Sequence, residues 1–290
     1  MKTVKIINPA AGQGKAVNEI SEDTRYYVTK SVGDVENYVY KTLLKEPDTH
    51  FIVCGGDGSI NEAVNGIMRA EAQDTAILSA IGTGTGNDFI KYDKYAHSHG
   101  SSVKCDVIKY GDRYYINILN IGFDCTVVQK TEKLKKKPLI SGSFAYICGV
   151  VGTVFGEYGT KMRIKIENEN GEEEEFCDDY MLCVVANGQY YGGGFKPAPL
   201  ADITDGLADV VLVKTVKRTQ IPSIIGLYKK GEHIDHEKRD IIDKFKHIMT
   251  YRRARKVSIS GMQSVCADGE IEKCESIDIE VVPKAINFMF

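Results

Sequence analysis

The chain has 290 residues, 43% of them hydrophobic, with 37 basic and 40 acidic side chains for a net charge of −3. That length and apolar content support a substantial core and two domains. The balanced charge and a pI near 6.1 exclude the strongly basic face that nucleic-acid binding requires. The 8 cysteines sit singly, without paired metal spacing. They read as reduced core residues of a cytoplasmic protein, and Met1-Lys2-Thr3-Val4 begins a strand instead of a signal peptide.

In chain order, the strand-like Val4-Lys5-Ile6-Ile7 runs into the turn Asn8-Pro9-Ala10-Ala11-Gly12-Gln13-Gly14-Lys15. Only ten residues then separate Gly14 from the strand-like Arg25-Tyr26-Tyr27-Val28. Phe51-Ile52-Val53 leads into Cys54-Gly55-Gly56-Asp57-Gly58-Ser59-Ile60-Asn61-Glu62, with a helical pattern from Glu62 onward. Glycines let backbone N–H groups approach an anion, and a helix N-terminus adds partial positive charge, so this is a phosphate-handling arrangement. Asp57 repels phosphate by itself and is suited to hold Mg²⁺ against it. A third strand, Ala76-Ile77-Leu78-Ser79-Ala80-Ile81, ends in Gly82-Thr83-Gly84-Thr85-Gly86-Asn87-Asp88-Phe89. Three strands each ending in a Gly/Asn/Asp turn imply an open, mostly parallel sheet with a ligand beyond the strand C-termini. Two better-known cradles fail. Gly14-Lys15 is followed by Ala16 where a Walker loop needs Ser or Thr. Both Gly56-Asp57-Gly58 and Gly84-Thr85-Gly86 lack the last glycine of a dinucleotide fingerprint.

After about residue 100 strand patterns dominate: 114–118, 162–167, 180–186, 208–213, 256–260 and 276–281. They imply a β-sandwich. The reading is therefore an α/β domain over 1–102 and a larger all-β, sandwich-like domain over 103–283. Within the latter, the basic cluster Lys133-Leu134-Lys135-Lys136-Lys137 precedes nineteen uncharged residues, 138–156. Four glycines argue against a membrane span there. Phe144, Ile147, Cys148, Val151, Val154 and Phe155 fall near helical spacing, which suits reversible docking on an anionic membrane surface, each basic residue contributing on the order of 1 kcal/mol. The plainer alternative is a packed helix behind a solvated charge run. Near the C-terminus, Asp268-Gly269-Glu270 carries two carboxylates at i, i+2. A tight turn can present both toward one cleft, although the same residues spell an ordinary Asp-Gly hairpin.

Taken together, Asn8-Pro9-x-Ala11-Gly12, the Gly55–Glu62 loop and the Gly82–Phe89 loop resemble the catalytic domain of the diacylglycerol kinase family, in its bacterial lipid kinase branch. The similarity continues through Asn117-x-x-Asn120-x-Gly122-Phe123-Asp124, Asn187-Gly188-x-x-x-Gly192-Gly193-Gly194-Phe195, Pro199-x-Ala201-x-x-x-Asp205-Gly206 and Asp268-Gly269-Glu270, covering nearly the whole chain. The Gly-Gly-Asp-Gly motif is shared with NAD kinases and phosphofructokinases; the later segments are what point to lipids. Ser59 stands where the family usually has Thr, and Ala80 where it often has Pro.

The resemblance implies ATP and Mg²⁺ as cofactors. Nucleotide contacts map to Asn8, Gly12, Thr29, Gly55, Gly56, Asp57, Gly58, Ser59, Asn61, Glu62, Gly82, Thr83, Gly84, Asn87 and Asp88. A catalytic Mg²⁺ is expected to be reached through water from Asp57, Asp88 and Asp106. As plainer roles, Asp88 suits a cap for a helix at Phe89 and Asp106 a strand edge. A structural Mg²⁺ maps to the Asp205 carboxylate with the carbonyls of Asp202 and Leu207. Either Asp268 or Glu270 is the proton acceptor, with Glu270 preferred and Asp268 assisting. Residues 284–290 are expected to return to the first domain, placing the site in a cleft. The implied activity is phosphorylation of a lipid hydroxyl, diacylglycerol to phosphatidic acid, by a cytoplasmic, peripherally membrane-associated enzyme. The alternatives are a sphingoid-base or other lipid kinase, an NAD kinase-like enzyme, and a nucleotide- or lipid-binding protein without catalysis. A homodimer is left open.

Overall fold

The computed structural model describes residues 1–19, 24–83, 87–92, 102–122 and 159–290. Contacts divide the chain into two compact units. The first is Met1–Ile116 with Ile203–Gly206 and Val282–Phe290, and the second is Asn117–Asp202 with Leu207–Val281.

The first unit contains β1 (Lys2–Ile7), β2 (Tyr26–Val28), α1 (Asp34–Leu43), β3 (Thr49–Gly55), α2 (Asp57–Arg69), β4 (Ile77–Gly82), β5 (Ser102–Tyr110) and β6 (Arg113–Tyr115). β2, β1, β3 and β4 pair in that order, all parallel, and Asn287, Phe288 and Met289 add a further parallel partner to β4. Alternation in the strands decides the core. Val4, Ile6, Phe51, Val53, Leu78 and Phe288 face the apolar sides of α1 and α2, given by Val35, Val39, Leu43, Ile60, Ala63, Val64 and Ile67. Gly66 lets the two helices approach, because a Cβ there would stand 2.8 Å from the Glu36 carbonyl oxygen and from Val39. On the opposite face, Ile7, Ile52, Cys54 and Ile81 pack with Ala11 and Ala16 of a 3-10 helix, Ala11–Glu19.

Asp106 ties together the three separate segments of this unit. It is fully buried, its oxygens accept the N–H groups of Gly206 (2.7 Å) and Lys284 (2.7 Å), and its own N–H donates to Ile203 O (2.7 Å). Lys284 sits at φ 54, a left-handed conformation that L-residues seldom adopt. Asp106, expected in a water-linked metal network, thus has a structural role in holding this unit together.

The second unit contains β7 (Ile118–Gly122), β8 (Thr160–Glu167), β9 (Glu173–Ala186), β10 (Ala208–Lys214), α3 (Ile221–Lys230), β11 (Ile234–Asp235), β12 (Asp240–Ile241), β13 (Met249–Ala254), β14 (Lys256–Ser260), β15 (Val265–Ala267), β16 (Glu270–Glu272) and the start of β17 (Ser276–Met289). β9 is the shared strand: its first half pairs with β8, and its second half lies between β7 and β10. The sequence follows suit. Glu173 to Asp179 is largely exposed, and Tyr180 to Ala186 is buried throughout, as a strand covered on both faces must be. This is the sandwich-like second domain that the strand patterns imply.

Three differences have local causes. The expected single strand 114–118 is broken into β6 and β7, because Tyr114 is held by side chains of α2 and Asn117 by the turn at Asp268. The strand reading also omits α3, which starts with Pro222 in its first turn and ends at Gly231 with φ 76. β17 runs on past Pro283 to Met289 instead of stopping near Val281. Among the described residues no helix is long and apolar enough to cross a membrane; the cluster 133–137 and the apolar run 138–156 lie outside them.

His233 is completely buried behind α3, with Nε2 3.0 Å from the Pro197 carbonyl oxygen. Burial pushes its imidazole down to about 4 from an ordinary 6.5. Below pH 6.5 the unfolded chain therefore takes up a proton that the folded chain refuses, and stability falls toward pH 4 by up to about 3 kcal/mol from this group. Urea midpoints at pH 7 and 4.5 are expected to differ less in His233→Gln than in wild type; an identical pH dependence in both would contradict this.

Candidate nucleotide cradle and catalytic turn

β3 passes into α2 through one extended residue, Gly56 (φ −104, ψ −174), so Asp57 is already helical and Gly58 and Ser59 complete the first turn. The helix begins five residues before the hydrophobic pattern announces it at Glu62. Gly56 O accepts the N–H groups of Ser59 (3.0 Å) and Ile60 (3.2 Å). The N–H end of a 13-residue helix is thereby directed out of the loop, where it favours an anion. Gly58 faces open space, with nothing within 4 Å of an added Cβ.

The other two loops are locked to this one. Asn8 Nδ2 donates to Ser59 Oγ (3.0 Å), the Asn8 N–H donates to Cys54 O (3.0 Å), and Asn8 Oδ1 accepts the Ala10 N–H (3.1 Å). Thr83 N–H donates to Gly55 O (3.2 Å). Gly12, at φ 59, lies so close to the third loop that a Cβ would stand 1.8 Å from Thr83 O. Gly55 and Gly82 are equally confined, the first by Ser59 at 2.8 Å and the second by Ile90 at 2.5 Å and the Asn87 side chain at 2.8 Å. Thr83 Oγ1 is buried without a hydrogen-bond partner among the described residues, which fits a cradle completed by a polar ligand. Gly12→Ala is expected to weaken ATP binding at least about tenfold by forcing the first and third loops apart. Titration with a fluorescent ATP analogue measures this, and an unchanged Kd would show that the packing is irrelevant to the nucleotide.

Asp57 and Asp88 come together at the mouth of the cradle. Asp57 Oδ2 accepts the Asp88 N–H (3.0 Å) and Oδ1 the Phe89 N–H (3.2 Å), so Asp57, and not Asp88, caps the 3-10 turn Phe89–Lys91. Asp88 is nearly buried and pairs with Lys91 Nζ at 3.1 Å. Burial pushes the Asp57 carboxyl above its usual range. The Asp88 and Phe89 N–H groups and Lys91 oppose this, and the Asp88 charge adds to it. Two neighbouring carboxylates, with Asp57 raised by burial, suit a divalent cation that neutralises both. No cluster of three metal-ligating side chains occurs among the described residues. Mg²⁺ takes one or two carboxylates and otherwise phosphate oxygens and water, and Asp57 and Asp88 are the residues that would hold it.

Two residues expected at the nucleotide are used elsewhere. Asn61 is buried, its Nδ2 donating to Tyr114 O (3.0 Å) and its Oδ1 accepting from Asn65 (3.2 Å), which fastens α2 to β6. The Glu62 oxygens accept the N–H groups of Gly33 (2.9 Å) and Val35 (3.1 Å), capping α1, which has no side-chain cap of its own. Thr29 is buried at the end of β2 with its N–H on Ile7 O (2.9 Å). Gly84, Thr85, Gly86 and Asp124 lie outside the described residues. In the Ala201–Leu207 stretch, Asp205 is exposed, Asp202 half-buried and Leu207 buried.

In the second unit, Asp268-Gly269 joins β15 to β16 as a two-residue hairpin with Ala267 opposite Glu270. Both turn residues have positive φ, 46 and 92, as a type I′ turn demands. The ordinary hairpin is therefore present, and it aims Asp268 at the start of β7. Asp268 Oδ1 accepts the N–H groups of Ile118 (2.9 Å) and Asn117 (3.1 Å), Oδ2 takes a longer contact from Asn117 (3.4 Å), and the Asp268 N–H donates to Ile118 O (3.0 Å). Glu270 is exposed at the first position of β16. Asn117, named in sequence only within the Asn-x-x-Asn motif, is the backbone partner of this carboxylate.

Residues 2–117 match the family model described as "Diacylglycerol kinase catalytic domain", and residues 117–290 match "YegS C-terminal NAD kinase beta sandwich-like domain". Among similar proteins, "Probable lipid kinase YegS-like" of Shewanella frigidimarina is 29% identical over 248 residues, covering 82% of this chain and 75% of that protein. A "Putative lipid kinase" of Staphylococcus aureus strain Newman is 27% identical over 304 residues, covering 99% and 93%. The crystal structure of a "putative diacylglycerol kinase" from Bacillus anthracis shares the fold, with a TM-score of 0.73 over 100% of this chain and 96% of that one at 23% identity.

Proposed function

The chain belongs to the family that joins a diacylglycerol kinase catalytic domain to a YegS C-terminal β-sandwich domain, and on that premise we propose that it transfers the γ-phosphoryl of ATP to a lipid hydroxyl, with diacylglycerol as the leading substrate. The observation that carries this reading is the cradle in which Gly12, Asn8, Ser59 and Thr83 interlock around the N-terminus of α2, with Asp57 and Asp88 beside it. Interlocked loops hold phosphates without reorganisation, which is most of what a phosphoryl-transfer enzyme must do. Mg²⁺ held at Asp57 and Asp88 would neutralise charge building up on the phosphates. Asp205, with the Asp202 and Leu207 carbonyls, is the proposed place for a second, structural Mg²⁺.

The attacking hydroxyl loses a proton as its oxygen bonds to phosphorus and ADP departs, and Asp268 is the proposed acceptor. A base must be held in position. The Asp268 carboxylate is fixed by two backbone N–H groups, while Glu270 projects into solvent from a three-residue strand. This reverses the preference for Glu270 drawn from sequence.

The test is transfer from γ-labelled ATP with Mg²⁺ to a panel of diacylglycerol, monoacylglycerol, sphingosine, ceramide, undecaprenol and NAD. Label in one lipid supports the reading and names the substrate; label in NAD alone, or in nothing, overturns it. Peripheral contact with anionic membranes through 133–137 is part of the proposal. Charge reversal of Lys135, Lys136 and Lys137 is expected to reduce sedimentation with anionic vesicles at low salt, and equal sedimentation would remove that element.

A further inference from the structure

We propose that Asn117 is a positioning residue, relaying the conformation of the glycine loop 187–195 to the carboxylate of Asp268. The proposal rests on the reading of Asp268 as proton acceptor. Asn117 is 5% exposed and all of its backbone polar groups are engaged. On one side its N–H reaches Asp268 Oδ1 at 3.1 Å. On the other its carbonyl accepts the N–H groups of Asn187 (2.8 Å) and Gly188 (3.0 Å), and its Nδ2 donates to Tyr190 O (2.8 Å). The side chain has a fitted seat: a Cβ on Gly188 would stand 2.1 Å from Asn117 Oδ1, so only glycine admits the carboxamide.

The loop beyond has a backbone that only glycines accommodate readily. Gly192, Gly193 and Gly194 are consecutive left-handed residues at φ 60, 82 and 109, closed by the bridge from Tyr191 to Phe195. Tyr191 and Phe195 seat the loop in an apolar core, Gln189 Nε2 donates to Ala201 O (3.1 Å), and at the loop's start the anchor is Asn117. Displacing the Asn117 backbone displaces the N–H that aims Asp268, and misplacing a reacting group by about 1 Å costs on the order of 10²-fold in rate. The residue touches neither substrate nor metal in this scheme; it acts through Asp268.

Two substitutions test this, Asn117→Ala and the isosteric Asn117→Asp, which keeps the volume but loses the donor to Tyr190. Each is expected to lower kcat roughly 10- to 100-fold, at a KM for ATP within about twofold of wild type. In an Asp268→Asn background neither is expected to cost anything further, because residues acting as one unit are non-additive. Hydrogen exchange supplies a readout that does not need activity: the amide of Asp268 should lose protection in both variants while those of β1 and β3 do not. Full additivity with Asp268→Asn, or unchanged Asp268 protection, overturns the proposal. A wild-type protein that phosphorylates no lipid would refute the functional reading, and the exchange experiment would still decide the coupling.

Discussion

Asp268→Asn is expected to lower phosphoryl transfer by roughly 10²- to 10⁴-fold, the usual worth of a positioned general base, with nucleotide affinity within about twofold of wild type. The substitution separates charge from scaffold. Asparagine keeps a carbonyl oxygen for the N–H groups of Ile118 and Asn117, so the type I′ turn and its pairing of Ala267 with Glu270 survive, while the proposed proton acceptor is gone. Glu270→Gln leaves Asp268 and its anchors untouched and is expected to cost less than about tenfold. Steady-state kinetics on the two variants decide between the acids. If Glu270→Gln is the damaging change and Asp268→Asn is not, the exposed carboxylate is the base, and positioning by β7 is irrelevant to catalysis.

Asp106→Ala is expected to destabilise the protein by about 4 kcal/mol, since it leaves the N–H groups of Gly206 and Lys284 without their charged acceptor, each such bond being worth about 1.5–3 kcal/mol. The magnitude follows from burial. Asp106 is completely enclosed, and the groups it holds lie 100 and 178 residues away in sequence. No nearer residue can replace it, and Lys284 loses the partner that offsets its left-handed backbone. Asp106→Asn, which retains one acceptor oxygen, is expected to fall between. Urea denaturation measures both, and a midpoint for Asp106→Ala equal to wild type would exclude the staple. A large loss of Mg²⁺-dependent activity at unchanged stability would instead return Asp106 to the metal network.

Local sequence placed the three glycine turns that interlock, but not the contacts of the residues that follow them. The turns of Asn8, Gly12, Gly55, Asp57 and Thr83 were legible because glycines and small polar residues at strand ends mark tight connections. Asn61 and Glu62 followed in the same motif and were read with it. Once α2 begins at Asp57, however, the helical repeat carries Asn61 toward β6 and Glu62 toward the start of α1. That rotation depends on where the first helical residue falls, and a stretch of Gly-Gly-Asp-Gly carries no hydrophobic period from which to read it.

By itself the sequence determined the parallel α/β sheet ahead of a β-rich domain and the family, since these rest on periodicity, turn residues and motifs encoded within a few residues of one another. Only the tertiary structure decided that Asp106 is a staple, that Asp57 caps the turn after Asp88, and that Asp268 is held by Asn117 and Ile118. The physical reason is common to the three. A carboxylate's role is set by which backbone N–H groups it meets, here 31 to 178 residues away, and that meeting exists only once the strands are paired and the helices packed.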